Sequence, residues 1–204
     1  TAEPFGAKQR TPSLVVKYGF ALVYEQVLSQ AGIGHRTVNT NEGGIVTTDA
    51  PTESVWDYPR PPAMDPVNDH VRIIHGGQVV CESTNTIRIL ETSHPPTYYI
   101  PRSDFTEGVL EPVAGQTMCE FKGVASYADV VVGDTRIPRA AWWYPDINRD
   151  YAALADHVAV YPGLFDEVTV NGEVVQAQEG DFYGGWITSR VTGPFKGAPG
   201  TWGW

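Results

Sequence analysis

The sequence TMCEFKGVASY (residues 117–127) places a thiol and an ammonium group three positions apart, at Cys119 and Lys122. A neighbouring lysine lowers the pKa of a thiol, which makes a nucleophilic thiolate available near neutral pH. Residues three apart on a regular strand point to opposite faces, so the two groups meet only if the chain turns or bulges here. The alternative is that Cys119 is a small core residue and that Lys122 binds a carbonyl or carboxylate group.

Large aromatic side chains with polar groups are frequent in the same half of the sequence. Buried tyrosines and tryptophans usually need hydrogen-bond partners, which a partly hydrated cavity provides. Such rings also bind cations or stack on bases, and an aromatic-rich β core is the plainer alternative. The rings concerned are Tyr98, Tyr99, Phe121, Tyr127, Trp142, Trp143, Tyr144, Tyr161, Phe182 and Tyr183.

Other catalytic and metal-binding patterns do not occur in the sequence. The two cysteines and five histidines are scattered instead of paired at the spacings of a zinc site. The phosphate-loop, dinucleotide-binding and Gly-x-Ser-x-Gly motifs are missing, as is a close Asp-x-Asp pair for magnesium. We therefore expect no metal and no cofactor.

The elements around these residues are mostly strands. Asn-Gly and Gly-Gly pairs between β-branched residues predict hairpins, and Asp146 is positioned to cap a short helix over residues 147–158. The sequence therefore predicts a mostly β fold of two antiparallel sheets, or a half-open barrel, with about two short helices. The strand segments are VRIIHGGQVVCES (71–83), TIRILET (86–92), TYYIP (97–101), GVASYADVVVGDTRI (123–137) and EVTVNGEVVQA (167–177).

The chain divides by composition into an extension and a domain. Residues 1–52 are predicted to be an N-terminal extension and linker, with one helix over residues 20–31. The polar, glycine-rich run at 37–54 is typical of a linker, and the prolines of residues 58–66 predict an extended lead-in. Residues 53–204 are predicted to form a single β-rich domain.

Composition limits the partners of the protein. Its 24 acidic and 14 basic residues give a net charge of −10, which argues against tight binding to nucleic acid or to an anionic membrane. No run of about 20 apolar residues is present, and no signal peptide is recognisable. Cys81 and Cys119 are expected to be free thiols. We expect a cytoplasmic monomer or homodimer with a small-molecule partner.

Several longer motifs together resemble a known family. They are ESVWDYPRPP (53–62), LETSHPPTYYIPRSDF (90–105), CEFKGVASY (119–127), AAWWYPDI (140–147), HVAVYPG (157–163) and FYGGWITSRVTGPFKGAPGTWGW (182–204). The family is domain of unknown function 427, which also carries an older nucleotidyltransferase-like label. The resemblance covers about residues 53–204, and the long tail is similar to that of actinobacterial members.

The resemblance implies a fold similar to the β-tent domains, in which two antiparallel sheets lean together. Related tent domains often hold a zinc ion with four cysteines, and some bind ligands in an aromatic cage. This sequence lacks the four cysteines, so only the ligand cavity carries over. The recurring positions of the family imply a ligand-binding set of Glu91, Tyr99, Cys119, Lys122, Tyr127, Trp143 and Tyr144, together with Gly123 and Pro145.

The most direct functional interpretation is a small-molecule-binding β domain with an aromatic-lined polar cavity. Two alternatives remain open at this point. One is an enzyme of hydrolase or transferase type that uses Cys119 or Lys122. The other is an interaction module that docks through the aromatic tail GTWGW (200–204). The second Phe-Lys-Gly, at 195–197, is predicted to be a clamp across the sheet.

Overall fold

The computed structural model describes residues 51–180, 183–201 and 203–204, and only two short strands of the first fifty residues. The chain divides into two compact units, Thr1–Ala50 and Pro51–Trp204. In the first unit, β1 (Val38–Asn39) and β2 (Ile45–Val46) pair antiparallel. The helix predicted over residues 20–31 lies outside the described residues.

The second unit is built from short strands and 3-10 helices. The 3-10 helices are Val55–Asp57, Arg102–Asp104, Arg149–Leu154 and Pro162–Leu164. None of the helices in the described part of the chain is long and apolar enough to cross a membrane. The strands are β3 (Glu53–Ser54), β4 (Ala63–Val67), β5 (Val71–His75), β6 (Gln78–Ser83), β7 (Thr86–Leu90), β8 (Thr97–Pro101), β9 (Leu110–Cys119), β10 (Gly123–Val132), β11 (Thr135–Trp143), β12 (His157–Val160), β13 (Glu167–Val170), β14 (Glu173–Val174), β15 (Gln176–Ala177), β16 (Trp186–Ile187) and β17 (Val191–Thr192).

Two antiparallel sheets dominate this unit. Seven strands pair in the order β4-β7-β8-β12-β11-β10-β9, and four pair in the order β14-β13-β5-β6. Strands β15 and β16 form a separate antiparallel pair, while β17 lies parallel to β3. The predicted mostly β, antiparallel architecture is confirmed, and the larger sheet is open, not closed into a barrel.

The predicted hairpins form because their turn residues suit the backbone. Asn171 and Gly172 have φ angles of 52° and 81° between β13 and β14. Positive φ at both central positions matches the right-handed twist of the flanking strands, and Asn-Gly is the pair that adopts it most readily. The turn therefore fixes the register in which Val170 faces Glu173.

The main core lies between the two sheets. Val71 and Ile73 of β5 are fully buried against Ile100 of β8, Val130 of β10 and Val158 of β12. Because side chains alternate along a strand, every second residue of β8, β10 and β11 leaves this core and points to the other face of the larger sheet. That second face carries a cluster of aromatic residues that includes Tyr99, Tyr127, Trp142 and Tyr144.

A buried ion-pair network joins the two ends of the second unit. The guanidinium of Arg88 on β7 is 2% exposed and donates to the carboxylates of Glu53 and Asp65. Arg190, close to β17, donates to Glu53 at 2.8 Å and to Asp69 at 3.2 Å. Since a buried charge is tolerated only when it is paired, this network ties β3 and β17 to the edge of the larger sheet.

The helix predicted after Asp146 is shorter than expected. A 3-10 helix, Arg149–Leu154, begins after Asn148, and Tyr151 within it has non-helical angles. The amide of Asn148 donates to the carbonyl of Phe121 at 2.5 Å, and the hydroxyl of Tyr151 donates to Pro62 at 2.8 Å. These two hydrogen bonds hold the segment against the turn between β9 and β10 and against the residue that precedes β4.

Candidate functional site

A cavity of about 310 Å³ lies on the aromatic face of the larger sheet. This volume is at the lower end of the range for small-molecule pockets. Strands β7 to β11, the turn between β9 and β10, and the C-terminal tail all contribute to its wall. The lining residues include Arg60, Glu91, His94, Tyr99, Thr117, Cys119, Glu120, Phe121, Lys122, Tyr127, Trp142, Tyr144, Tyr161, Tyr183 and Lys196.

The turn between β9 and β10 brings the thiol and the ammonium group to one wall. Cys119 pairs with Gly123 at the ends of the two strands, so residues 120–122 form the turn. Gly123 has a φ of 101°, and a Cβ there would lie 3.2 Å from the carbonyl oxygen of Asp146. Glycine adopts this positive φ readily and has no Cβ to approach the carbonyl. The resulting turn lets Cys119 and Lys122 line the same cavity.

The two cysteines of the protein have opposite environments. Burial raises the pKa of the Cys119 thiol. This effect is outweighed by attraction to Lys122, by the backbone N–H groups of Lys122 and Phe121, and by the Tyr144 hydroxyl. The pKa of Cys119 therefore falls below its usual value. Cys81 is fully buried in the main core, where burial and the nearby Asp104 carboxylate raise its pKa. Cys119 alone combines thiolate character with a place on the cavity wall.

Lys122 is buried without a carboxylate partner in the described part of the chain. Its side chain is 7% exposed. The ammonium nitrogen lies 5.8 Å from the ring centre of Tyr144 and 5.9 Å from that of Tyr151. Such cation–π contacts supply part of the stabilisation that the ammonium loses on leaving water. Lys122 therefore presents a positive charge to the cavity.

A row of polar groups lies between the sheet and the thiol. The indole N–H of Trp142 donates to the hydroxyl of Tyr99 at 3.2 Å. The Tyr144 hydroxyl lies near Tyr99 and Cys119, and its interaction with the Cys119 thiol favours the lowered pKa of that thiol. Burial raises the pKa of both phenols. The two hydroxyls therefore stay protonated at physiological pH, and the Tyr144 hydroxyl can act as a donor toward Cys119.

Residues 63–171 match the family described as a domain of unknown function (DUF427), whose model carries the label NTP_transf_9. The match spans more than half of the chain. The chain belongs to the DUF427 family. The matched segment contains Cys119, Lys122 and the aromatic wall, whereas Arg60 and Lys196 come from outside it. A search of curated proteins finds no match to this sequence.

Arg60 binds both carboxylates that line the cavity of the DUF427 domain. Its guanidinium lies 2.7 Å from Glu91 and 3.0 Å from Glu120, and it packs over the ring of Phe121 at 5.0 Å. Each carboxylate therefore already has a partner. Lys122 and Lys196 are the cavity-lining lysines, and neither makes an ion pair with an Asp or Glu side chain of the described residues.

Lys196 belongs to the second Phe-Lys-Gly of the sequence, and it reaches the same cavity as Lys122. Its backbone N–H donates to Ser93 at 2.9 Å, and its ammonium group donates to the carbonyl of Trp204 at 2.6 Å. The tail thus crosses the loop after β7. The sequence predicts a clamp here, and Lys196 also forms part of the cavity wall, which the sequence did not indicate.

Tyr127 is held by contacts on two sides. Its hydroxyl hydrogen-bonds to Thr117 at 2.8 Å, and the guanidinium of Arg139 lies 3.9 Å from its ring centre. A second hollow of about 480 Å³ lies beyond Tyr127 and Tyr161, lined by Arg139. Tyr127 is therefore part of the wall between two adjacent hollows of the DUF427 domain.

Trp143 is the member of the predicted set that the structure does not bring to the cavity. Neighbouring residues on β11 point to opposite faces, and Trp142 takes the cavity side. Trp143 packs against the main core, with the guanidinium of Arg102 4.5 Å from its ring centre. The other six predicted residues all line the cavity: Glu91, Tyr99, Cys119, Lys122, Tyr127 and Tyr144.

Sequence reasoning also missed several lining residues. In the sequence, Trp142 and Tyr161 stand out only as aromatic residues, and His94 only as an isolated histidine. Side chains alternate between the two faces along β11, so Trp143 shares a face with Ala141 and Trp142 points to the opposite face. This alternation could have identified Trp142 as the residue on the cavity side. The Nδ1–H of His94 donates to the carbonyl of Thr92, 2.9 Å away, and burial lowers the pKa of His94.

No group of three or more potential metal ligands is found among residues 51–180, 183–201 and 203–204.

Proposed function

We propose that this DUF427 domain binds a small organic molecule that carries an anionic group, with Lys122 as its anchor. The observation that carries the proposal is the burial of Lys122 on a cavity wall, with no carboxylate of the described residues in ion-pair distance of its ammonium group. Arg60 pairs with both cavity carboxylates, which leaves Lys122 as a cavity cation without a carboxylate partner among the described residues.

The energetics of burial support an anionic ligand. Removing an ammonium group from water costs several kcal/mol, and this cost is recovered only through paired charges and hydrogen bonds. Each cation–π contact returns about 0.5–2 kcal/mol. A carboxylate or phosphate group beside Lys122 would add a charge-assisted hydrogen bond, which is worth roughly twice a neutral one.

The remaining lining residues divide the work of recognition. Tyr99 and Tyr144 provide hydroxyl groups, and Tyr127 and Trp142 provide flat apolar walls. Glu91 holds Arg60 at the rim. This combination favours a ligand with one anionic end and one planar or apolar end.

A thermal-shift panel of small carboxylates and phosphates tests the proposal. A ligand at 100 times its Kd stabilises the folded protein by about 2.7 kcal/mol, which raises the Tm of a domain of this size by roughly 5–10 °C. We expect Lys122→Met to abolish the shift. The matched control is Arg72→Met, which removes one positive charge from β5, away from the cavity.

The proposal is open to refutation by the same Tm measurements. One is a panel in which no anion raises the Tm of the wild-type protein. The other is a ligand that raises the Tm of Lys122→Met as much as that of the wild type. Equal loss of the shift in Lys122→Met and in Arg72→Met would also contradict a specific anchor.

A second candidate function is catalysis with Cys119 as the nucleophile, in an enzyme of hydrolase or transferase type. It is supported by the lowered pKa of a thiol that lies on a cavity wall beside Lys122. Iodoacetamide labelling tests it, because a nucleophilic Cys119 reacts in the native protein. Cys81 is the internal control, since it should react only after unfolding. A Cys119 that also needs unfolding would end this candidate.

A further inference from the structure

Cys119 has the surroundings of a thiol that reacts, and it has no intramolecular partner. The protein contains two cysteines. Cys81 is fully buried in the core between the two sheets, whereas Cys119 packs with the aromatic cluster on the other face of the larger sheet. The two sulfur atoms are therefore separated by the sheet itself, and a bond between them is excluded in the folded protein.

A second observation points to a ligand at the same place. Lys122 is more than nine-tenths buried and lines the cavity beside Cys119, and its ammonium group makes no hydrogen bond or ion pair among the described residues. A cation in this position attracts an anionic molecule into the cavity, and it also stabilises a thiolate that leaves from it. Cys119 and Lys122 together therefore form a place where a charged, sulfur-containing molecule meets a nucleophile.

We propose that Cys119 undergoes reversible thiol–disulfide exchange with small anionic disulfides, and that the mixed disulfide fills the cavity. The Cys119 thiolate attacks one sulfur of the incoming disulfide. A new sulfur–sulfur bond forms as the old one breaks, and the electron pair leaves with the second sulfur as a thiolate. The incoming disulfide is the oxidant, so no further reagent is needed.

The site meets the requirements of this exchange more closely than those of hydrolysis. Exchange needs a thiolate, access to it, and stabilisation of the leaving thiolate. The backbone N–H groups of the turn, the Tyr144 hydroxyl and Lys122 provide these features. Hydrolysis would in addition need a general base and a positioned water molecule.

The mixed disulfide has two consequences. Because Cys81 cannot reach Cys119, only an external thiol reverses the modification. The attached group also occupies the space beside Lys122, so it excludes the anionic ligand. This second consequence rests on the proposed binding function, while the exchange itself does not.

Oxidised glutathione is the probe for the test. The wild-type protein is incubated with it, and intact-mass spectrometry with peptide mapping locates the adduct. We expect one glutathionyl group per chain, on Cys119, that is removed by dithiothreitol. Cys119→Ser and Cys119→Ala should gain none. Each variant is first checked for a native Tm, so that a misfolded variant is not counted.

Charge variants separate a specific site from an exposed thiol. Lys122→Met should slow the exchange, because a rise in the Cys119 pKa reduces the thiolate fraction and only part of this loss is offset by higher nucleophilicity. At a Brønsted slope near 0.5, the net effect is roughly threefold for each unit that the pKa rises. Arg72→Met should react at the wild-type rate. Cystamine, a cationic disulfide, should lose less rate than oxidised glutathione in Lys122→Met.

The inference fails if native Cys119 stays unmodified under conditions that modify the unfolded chain. It also fails if Cys81 is modified in the native protein, or if Lys122→Met reacts as fast as the wild type. An adduct on Cys119 without any anion-induced Tm shift would leave this inference standing and remove the proposed binding function. A Lys122-dependent Tm shift with an unreactive Cys119 would do the reverse.

Discussion

Trp142 and Trp143 are adjacent in sequence but lie on opposite faces of the larger sheet. The Trp142 indole donates to the Tyr99 hydroxyl on the cavity side, and the Trp143 ring stacks under the Arg102 guanidinium on the core side. A single position therefore separates a residue of the cavity wall from a residue of the structural core. This contrast gives a matched pair of substitutions.

Trp142→Phe should weaken anion binding, because it removes the hydrogen bond to Tyr99 and opens the wall. Loss of one neutral hydrogen bond costs about 0.5–1.5 kcal/mol, which predicts a Kd roughly three- to tenfold higher. Trp143→Phe is the control and should leave the Kd unchanged. Isothermal titration with the strongest anion of the thermal-shift panel measures both. A larger effect of Trp143→Phe would contradict the assignment of the cavity face.

The pH dependence of Cys119 alkylation should report its lowered pKa. An ordinary thiol has a pKa of about 8.5, and its alkylation rate rises with pH through that value as the thiolate forms. For native Cys119 we expect the midpoint at lower pH, since Lys122, the turn N–H groups and Tyr144 outweigh the effect of burial.

Iodoacetamide rates measured from pH 6 to pH 9 give the midpoint, with the same protein unfolded in urea as the reference. Lys122→Met should move the midpoint to higher pH and slow the reaction at pH 7. A native midpoint equal to or above that of the unfolded chain would contradict the prediction. The Arg72→Met variant controls for the change in total charge.

Glu53 should make the fold sensitive to acid. Burial raises the pKa of Glu53. Hydrogen bonds from Arg88, Tyr58 and Arg190, together with attraction to Arg88, lower it by more, so the net pKa lies below its usual value. A carboxylate with a lowered folded pKa stabilises the fold at pH values above its unfolded pKa of about 4.3. This contribution is lost as the pH falls from about 5 through that value toward the folded pKa.

Glu53→Gln should lower the free energy of unfolding at pH 7 by about 2–3 kcal/mol, because it leaves the Arg88 and Arg190 guanidinium groups short of a partner. The difference between variant and wild type should shrink below pH 4. Urea unfolding at pH 7 and at pH 3.5 measures it. The control is Glu111→Gln, which breaks a half-exposed pair with Arg136 and should cost less than about 1 kcal/mol.

The local parts of the fold were predictable from sequence because they depend on neighbouring residues. Asn171-Gly172 determines its own hairpin, and alternation along TIRIL places Ile87 and Ile89 on one face. The position of Cys119 beside Lys122 depends on a turn of three residues. In each case the deciding interactions are within a few positions of one another.

The rest of the site depends on contacts between distant segments, which periodicity does not reveal. Arg60 reaches Glu91 and Glu120 from a proline-rich lead-in, and Lys196 enters the cavity from the tail. The side-chain amide of Asn148 donates to the carbonyl of Phe121. The helix that the local apolar pattern predicts after Asp146 is shorter in the structure. Side chains like these are positioned by the assembled sheet.

Gly123 should be essential for the geometry of the site. Its φ of 101° lies outside the region that L-residues adopt readily, and an added Cβ would press on the carbonyl of Asp146 at 3.2 Å. Gly123→Ala should therefore destabilise the protein by roughly 1–3 kcal/mol, and by displacing the turn it should slow native alkylation of Cys119.

Gly76→Ala is the control, because Gly76 has a φ of 58° with no atom within 4 Å of the new Cβ. It should cost about 1–2 kcal/mol in urea unfolding without changing the alkylation rate. If both variants slowed alkylation equally, the effect would reflect general destabilisation, and the turn at Gly123 would lose its assigned role in presenting Cys119.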